Sequence, residues 1–401
     1  MPTTLRIEDR TRDRYRSIAE GSSWELAKVR EARALIVGCG ALGNEVAKNL
    51  AMLGVREIFL VDKDTVELAN LTRSVFFREC DHGRRKVDVL AEGVRELNSD
   101  VAVIPLHGDL ESVVGLGLLR RMHLVFSCLD NRLARRSLNR MCHRVGKPWI
   151  DGAMENLLGD VTVFLSDGGP CYECRLSPTE QAILARAFPC TGIALNQISR
   201  GRVPTLSTMG SIIAALQVQQ ALRVYHGRSL DRLGGRRIVL NCEIDDFYVT
   251  QVERKGDCMG HIVFGEPAER VDWSVSDTTP QDLIDEYRIT GGGDGHLRLG
   301  RDVVVGLECR ACGITEPLGV PQSLLAPEVA RCRNCNEMRA PITTNVVDSG
   351  QPLARLSLGR LGVPPLDILE VRGAAGSRWY ELTRDWRSME IGPGKHPEAL
   401  T

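Results

Sequence analysis

Short apolar runs alternate along most of this chain with longer stretches whose apolar positions recur at helical spacing. Ala34-Leu-Ile-Val37 reads as a strand that turns at Gly38-x-Gly40-x-x-Gly43 into a helix. A second apolar run closes on Leu60-Val-Asp62, and a third, Leu124-Val-Phe-Ser-Cys128, leads into Leu-Asp130-Asn131. An arginine-rich, helix-compatible segment occupies residues 1 to about 30, and Trp24-Glu-Leu-Ala-Lys-Val-Arg approaches the first strand. Further on, Ile150-Asp-Gly-Ala153 and Gly159 to Leu165 read as strands, Thr205 to Tyr225 as a helix, and Arg236 to Leu240 and Phe247 to Val252 as the last strands of this part. The alternation predicts an α/β fold whose sheet is parallel at first and gains antiparallel strands later, flanked by helices.

The pattern changes at Asp272-Trp-Ser-Val-Ser-Asp-Thr-Thr-Pro280, a polar boundary. Beyond it, Leu297 to Leu307, Thr343 to Val347, Pro364 to Val371 and Arg378 to Leu382 read as short strands, and Gly291-Gly-Gly-Asp-Gly295 as a turn. Two units are expected, residues 1–272 and 273–401. There are no internal repeats or long low-complexity tracts.

The glycine turn carries the first candidate chemistry. A strand that ends in GxGxxG and opens a helix leaves bare backbone N–H groups facing a phosphate, and an acid closing the next strand stands where a carboxylate grips ribose hydroxyls. By itself the motif also fits a glycine-rich turn that binds nothing. A dense polar set follows here: Asp62-Lys-Asp64-Thr-Val-Glu-Leu-Ala-Asn70-Leu-Thr-Arg73, then Gly83-Arg-Arg-Lys86-Val, then Cys128-Leu-Asp130-Asn131. Taken singly, Arg73 and Lys86 fit solvated surface charge; in this order they point to ATP rather than a nicotinamide.

These four ordered motifs resemble the adenylating superfamily that contains MoeB, ThiF and the ubiquitin-activating enzymes, over roughly residues 12 to 265. The resemblance implies a Rossmann-like mixed sheet and a bacterial-type activator of ubiquitin-like proteins. Such an enzyme joins the C-terminal carboxylate of a small carrier protein to ATP, so catalysis is largely charge neutralisation and positioning. It places Gly38, Gly40, Gly43, Asp62, Asp64, Asn70, Arg73, Lys86 and Asp130 around the nucleotide. Asp62 is assigned to the ribose, Asn70, Arg73 and Lys86 to the phosphates, and Asp130 to a transient Mg²⁺. It also implies a homodimer. Family members often carry Arg-Tyr-x-Arg-Gln near the N-terminus; here Arg14-Tyr15-Arg16-Ser17 puts Ser17 at the usual arginine, leaving Arg14 or Arg16 as substitutes.

Thirteen cysteines in a chain without an export signal suggest metal or thiol chemistry. Cys171-Tyr-Glu-Cys174 is a knuckle whose partner in MoeB-like relatives is a later CxxC. At that place stands Cys258-Met-Gly-His261, so these four are expected to bind one Zn²⁺. The competing arrangement leaves Cys258 and His261 unrelated and pairs Cys171 and Cys174 with a later CxxC. Cys309-Arg-Ala-Cys312 and Cys332-Arg-Asn-Cys335 have zinc-ribbon spacing and form a second structural site without outside help. Cys190, in Phe188-Pro-Cys-Thr, lies where thioester-forming relatives place a nucleophile on a crossover loop, with Arg186, Arg200 and Arg202 nearby. Cys39, Cys80, Cys128, Cys142 and Cys242 are taken as ordinary free cysteines.

At 401 residues, 43% hydrophobic and 26% charged, the chain can bury more than one core. A net charge of -1 argues against a general nucleic-acid surface. The N-terminus lacks a signal-peptide apolar core and no run reaches the roughly 18 apolar residues of a membrane span, so a cytoplasmic enzyme is expected. The expected reaction is adenylation of a ubiquitin-like protein, thioester formation on Cys190, and transfer to a conjugating-enzyme partner that docks on the ribbon domain. The alternatives are a MoeB- or ThiF-like activator of a sulfur carrier without a thioester relay, a nicotinamide oxidoreductase, disfavoured by Arg73, Lys86 and Asp130, and a non-enzymatic scaffold suggested by Ser17. The ribbon domain is equally read as folding support.

Overall fold

The computed structural model describes residues 14–16, 19, 24–181, 205–264, 268–326 and 328–386. Ser17, Cys190, Arg186, Arg200 and Arg202 lie outside the described residues.

Helix α1 (Leu26–Glu31) leads into β1 (Arg33–Val37), and α2 (Ala41–Leu53) follows the glycine turn. The chain continues through β2 (Glu57–Asp62), α3 (Lys86–Leu97), β3 (Ala102–His107), α4 (Leu110–Val113), α5 (Leu116–Arg121), β4 (Leu124–Ser127) and α6 (Arg132–Arg144). Then come β5 (Trp149–Glu155), β6 (Leu158–Phe164), the knuckle turn α7 (Tyr172–Arg175), α8 (Ser207–Tyr225), β7 (Arg236–Asn241) and β8 (Asp246–Gln251). These strands form an eight-stranded sheet in the order β3-β2-β1-β4-β5-β6-β7-β8. Pairing is parallel from β3 to β5 and antiparallel from β5 to β8, the mixed sheet expected from the run pattern.

The two-residue period of the strands sends alternate side chains to opposite layers. Ala34, Ile36, Ile58 and Leu60 pack with α2, α3 and α8, while Leu35, Val37, Phe59 and Val61 pack with α4, α5 and α6. Because both faces are covered, the central strands read as continuous apolar runs rather than alternating ones. Strand order reverses around β1, which has β2 on one side and β4 on the other. In open α/β sheets, ligands bind beyond the carboxyl ends of strands at such a switch point.

The C-terminal part builds a second sheet from β9 (Glu269–Val271), β10 (Gly295–Glu308), β11 (Thr315–Pro321), β12 (Ala340–Asp348), β13 (Ile368–Gly373) and β14 (Gly376–Leu382). Its order is β11-β10-β13-β14-β9, with β12 also paired to β10. Helix α9 (Pro280–Tyr287) begins with a Thr279 cap and contributes Leu283, Ile284 and Tyr287 to a separate core.

The two parts touch along α5. Leu366 adopts φ +59° and sits fully buried within the layer beneath α4 to α6 of the first sheet. Gly117 N donates to Leu366 O at 2.8 Å, and Leu116 N donates to Asp367 Oδ1 at 3.0 Å. The carboxylate of Glu381, 1% exposed, lies 2.9 Å from Arg120 and 2.5 Å from Arg121. Trp386 lies over Phe59 of β2, with a 6.3 Å centroid separation.

Candidate nucleotide site and metal centres

At the end of β1 the backbone turns sharply. Gly38 has φ +96°, and a Cβ there would lie 2.4 Å from Cys128 O, so the turn accepts only glycine. A Cβ on Gly43 would lie 1.9 Å from Gly38 O, which lets α2 pack hard against the turn. Gly40, the cap of α2, differs from both: a Cβ there meets nothing within 4 Å. Its side opens to solvent at the helix N-terminus, where a phosphate is favoured. Asn44, fully buried on the first turn of α2, steadies the loop by donating from Nδ2 to Cys39 O at 2.9 Å and Gly40 O at 3.0 Å.

Asp62, the last residue of β2, accepts from Cys39 N at 2.7 Å and from Asp64 N at 2.8 Å. It therefore braces the glycine turn as well as facing the site. Burial pushes its carboxyl up, against the pull of Lys86. Lys86, the first residue of α3, reaches Asp64 at 3.0 Å. Burial opposes its charge, but the combined fields of Asp62, Asp64 and Asp130 outweigh it and raise the ammonium's pKa, so the lysine stays protonated. Lys63 lies 3.0 Å from Asp109 beside them.

Asn70 Oδ1 accepts from Glu67 N at 3.0 Å, capping the short turn Leu68–Asn70. Arg73 Nη1 donates to Ala69 O at 2.5 Å. Asp130 follows β4 in an exposed position, with Asn131 Nδ2 at 3.4 Å. Asn131 Oδ1 in turn accepts from Ala134 N at 2.8 Å and caps α6. The structure thus gathers Asp62, Asp64, Lys86 and Asp130 into one electrostatic cluster beside the glycine loop. Asn70 and Arg73 are held on the adjoining turn.

Sequence reasoning missed the support behind Asp130. Arg135 Nη2 donates to Leu129 O at 2.5 Å and to Gly152 O at 3.1 Å, while its Nε donates to Asp151 at 3.0 Å. Beyond Asp151 a buried chain of charge continues: Arg175 and Arg237 both pair with Asp160 at 3.0 Å. Burial opposes the charge of Asp160, yet the hydrogen bond from Arg237 and the attraction of Arg175 hold its carboxyl below the usual carboxylate range. The signal for Arg135 was its place one helical turn past Asp130.

Both cysteine sets converge. The ligand atoms of Cys171, Cys174, Cys258 and His261 lie within 4.8 Å of one another, as do those of Cys309, Cys312, Cys332 and Cys335. Cys171 Sγ is 3.9 Å from Cys174 Sγ and 3.6 Å from Cys258 Sγ, and Cys174 Sγ is 3.2 Å from His261 Nε2. In the other set Cys309 and Cys335 are 3.5 Å apart. Thiolates about 2.3 Å from a tetrahedral Zn²⁺ lie about 3.8 Å apart, whereas a disulfide needs about 2 Å. Both donor sets suit the ion, and the first joins the knuckle to Cys258 and His261 rather than to a later CxxC. Burial pushes the Cys171 thiol up. Backbone N–H groups of Cys335 and Asn334 pull the Cys332 thiol down to about 6.

A glycine phosphate loop at a sheet's switch point, an acid closing the next strand, and a lysine among carboxylates beyond it define the adenylating superfamily of MoeB, ThiF and the ubiquitin-activating enzymes. The ThiF family pattern matches residues 14–258, and the chain belongs to the ThiF family. It is 31% identical over 312 residues to the adenylyltransferase and sulfurtransferase MOCS3 of Sus scrofa, covering 72% of this chain and 64% of that one. It is 30% identical over 200 residues to the molybdopterin-synthase adenylyltransferase of Escherichia coli (strain K12), covering 50% and 75%. It is 35% identical over 149 residues to SUMO-activating enzyme subunit 2 of Dictyostelium discoideum, covering 37% and 22%. The chain therefore spans less than two thirds of the MOCS3 and SUMO-activating relatives. No helix among the described residues is long and apolar enough to cross a membrane.

Proposed function

We propose that this chain adenylates the C-terminus of a ubiquitin-like or sulfur-carrier protein, then accepts the acyl group on Cys190 as a thioester for transfer to a partner. The observation that carries the reading is the convergence of the open Gly40 loop, Asp62, Lys86 and Asp130 at the carboxyl ends of β1, β2 and β4. In the first step a carboxylate oxygen of the carrier attacks the α-phosphorus of ATP and pyrophosphate leaves. Backbone N–H groups near Gly40 hold phosphate, Asp62 the ribose, and Lys86, Arg73 and Asn70 the charge that develops on the leaving group. Asp130 would hold a Mg²⁺, which neutralises phosphate oxygens when bound. In the second step the Cys190 thiolate attacks the acyl carbon, a C–S bond forms, the C–O bond to phosphate breaks and AMP leaves.

Zinc in the two cysteine sets would be structural, because four protein donors leave no open position. Residues 1–272 would form the adenylating unit and residues 273–401 the ribbon unit, a candidate dock for the acceptor, except that β9 (Glu269–Val271) pairs with β14 and goes with the ribbon unit. The exposed edge strand β8, with Phe247, Tyr248 and Val249 at 55%, 47% and 42% exposure, gives the carrier an apolar strand to lie against. A cytoplasmic homodimer completes the reading.

A second reading is favoured by the likeness to MOCS3 and the molybdopterin-synthase adenylyltransferase. The adenylate is then attacked by an external sulfur donor, and Cys190 is accessory. One experiment separates the two. Protein, Mg-ATP and diglycine-ended carriers are combined, and pyrophosphate release is measured beside reducing and non-reducing gels of wild type and Cys190→Ala. A reductant-sensitive adduct lost in Cys190→Ala supports the relay. Carrier-dependent pyrophosphate without an adduct supports the sulfur route, and no ATP binding in calorimetry with Mg²⁺ present sinks adenylation.

A further inference from the structure

The buried polar stripe along α6 belongs to neither site taken alone. Asn139 is fully buried, and its two amide atoms face the Cys171 knuckle. Its Oδ1 accepts from Tyr172 N at 3.0 Å. Its Nδ2 lies beside the Cys171 thiol without a full hydrogen bond to it, although an unmet buried donor of this kind costs about 1–3 kcal/mol. The direction of that donor is marked by Gly260, in the turn between Cys258 and His261. A Cβ on Gly260 would lie 2.8 Å from Cys171 Sγ and 3.1 Å from Asn139 Nδ2, so thiol and amide line the same side of this turn.

A neutral thiol is a weak acceptor, whereas a metal-bound thiolate is a strong one. On the metal and nucleotide assignments proposed above, we infer that Asn139 donates an N–H···S bond from Nδ2 to the metal-bound Cys171 thiolate and thereby ties the metal centre to the position of Asp130. Helix α6 supplies the connection. It begins at the Asn131 cap beside Asp130, and Arg135 clamps Leu129 O at the same end. Asn139 lies about 12 Å further along the axis. Arg140 grips Glu173 through two bonds of 2.7 and 2.9 Å, so the knuckle is fastened to the helix at two neighbouring residues. The helix is continuous between the Arg135 clamp and the Asn139 and Arg140 contacts, so a shift of the knuckle bears on its first turn.

Asn139→Asp tests the donor: it keeps the oxygen that Tyr172 N needs and removes the N–H. Both proteins are loaded with Co²⁺ in place of zinc. The Cys309/Cys312/Cys332/Cys335 set contributes equally to the two spectra, so their difference reports the Cys171 centre. The expected result is a shifted sulfur-to-cobalt charge-transfer band and metal retention against a chelator weakened about 10- to 100-fold. The gain in ATP affinity on adding Mg²⁺, the ratio of Kd without to Kd with the ion, should also shrink at least about threefold. Asn139→Leu, of similar volume and without either bond, should give the same readouts if the aspartate variant does not fold. An unchanged band, or an unchanged Mg²⁺ gain, overturns the coupling while leaving the metal and nucleotide readings intact. Wild type that takes up fewer than two Co²⁺ per chain, or gains no ATP affinity from Mg²⁺, overturns those readings and the coupling with them.

Discussion

Leu366→Ala is the most informative single perturbation of the fold. Leu366 comes from the loop before β13, yet its side chain is fully buried beside Leu35, Phe59 and Leu118 of the other sheet's layer. Truncation removes about three methylene equivalents at about 0.8 kcal/mol each, and incomplete collapse of the cavity raises the cost into the range of about 2–5 kcal/mol. The residue also holds φ +59°, a left-handed conformation that costs an L residue about 1–2 kcal/mol and glycine nothing. Leu366→Gly relieves that strain but also gives up the buried Cβ, about 0.8 kcal/mol, and adds about 0.5–1 kcal/mol of chain entropy. It should therefore match Leu366→Ala to within about 1 kcal/mol instead of falling well below it, as a buried glycine with negative φ would. Urea unfolding followed by tryptophan fluorescence reads both, since Trp149 sits in that layer and Trp386 at the contact between the two parts. A loss under about 1 kcal/mol for the alanine variant, or a glycine variant less stable than alanine by more than about 1 kcal/mol, refutes the wedge.

Gly40→Ala should leave the unfolding midpoint within about 0.5 kcal/mol of wild type, because its Cβ meets open space, while lowering ATP affinity in calorimetry. Gly43→Ala should destabilise the fold by several kcal/mol through overpacking against Gly38 O, and equal stability of the two variants would contradict the division of labour in the loop. Lys86→Ala and Asp130→Ala should cut carrier-dependent pyrophosphate release by about 100-fold or more with unchanged far-UV circular dichroism; full activity removes them from the site. Asp160 supplies a pH test. Its folded carboxyl is held low, so its stabilisation is present above the unfolded value of about 3.9 and disappears as pH falls through the folded value. Wild type should lose stability below about pH 4 along a steeper course than Asp160→Asn, and parallel acid-unfolding curves would count against the Arg175–Asp160–Arg237 cluster. Metal analysis should find about two zincs per chain, and chelation should lower the unfolding midpoint; one zinc or none removes a site.

The legible part of this protein is the part written in local order. The glycine spacing after β1 announced its turn because Gly38 and Gly43 answer steric needs within a few residues of one another, while Gly40 leaves the helix N-terminus open. The strands of the first sheet were readable because burial on both faces leaves uninterrupted apolar runs, and Asp62 and Asp130 were readable because they close such runs. The second sheet was readable only strand by strand, since its β10 is long, bulged and paired on both sides, with partners that no local pattern names.

By itself the sequence determined the sheet's character, the glycine turn, the set of charged residues beyond it and the supply of seven cysteines and one histidine in two sets. Tertiary structure decided which of these meet. Cys258 and His261 join Cys171 and Cys174 across 87 positions of chain because β7 and β8 return the backbone beside the knuckle. Arg135 serves Asp130 because β5 places Asp151 against α6, and Leu366 fills another sheet's layer because the contact along α5 brings it there. Local patterns record what each residue demands of its neighbours in sequence. Burial of charge, convergence of ligands and insertion of a strained leucine depend on neighbours in space, which only the closed fold supplies.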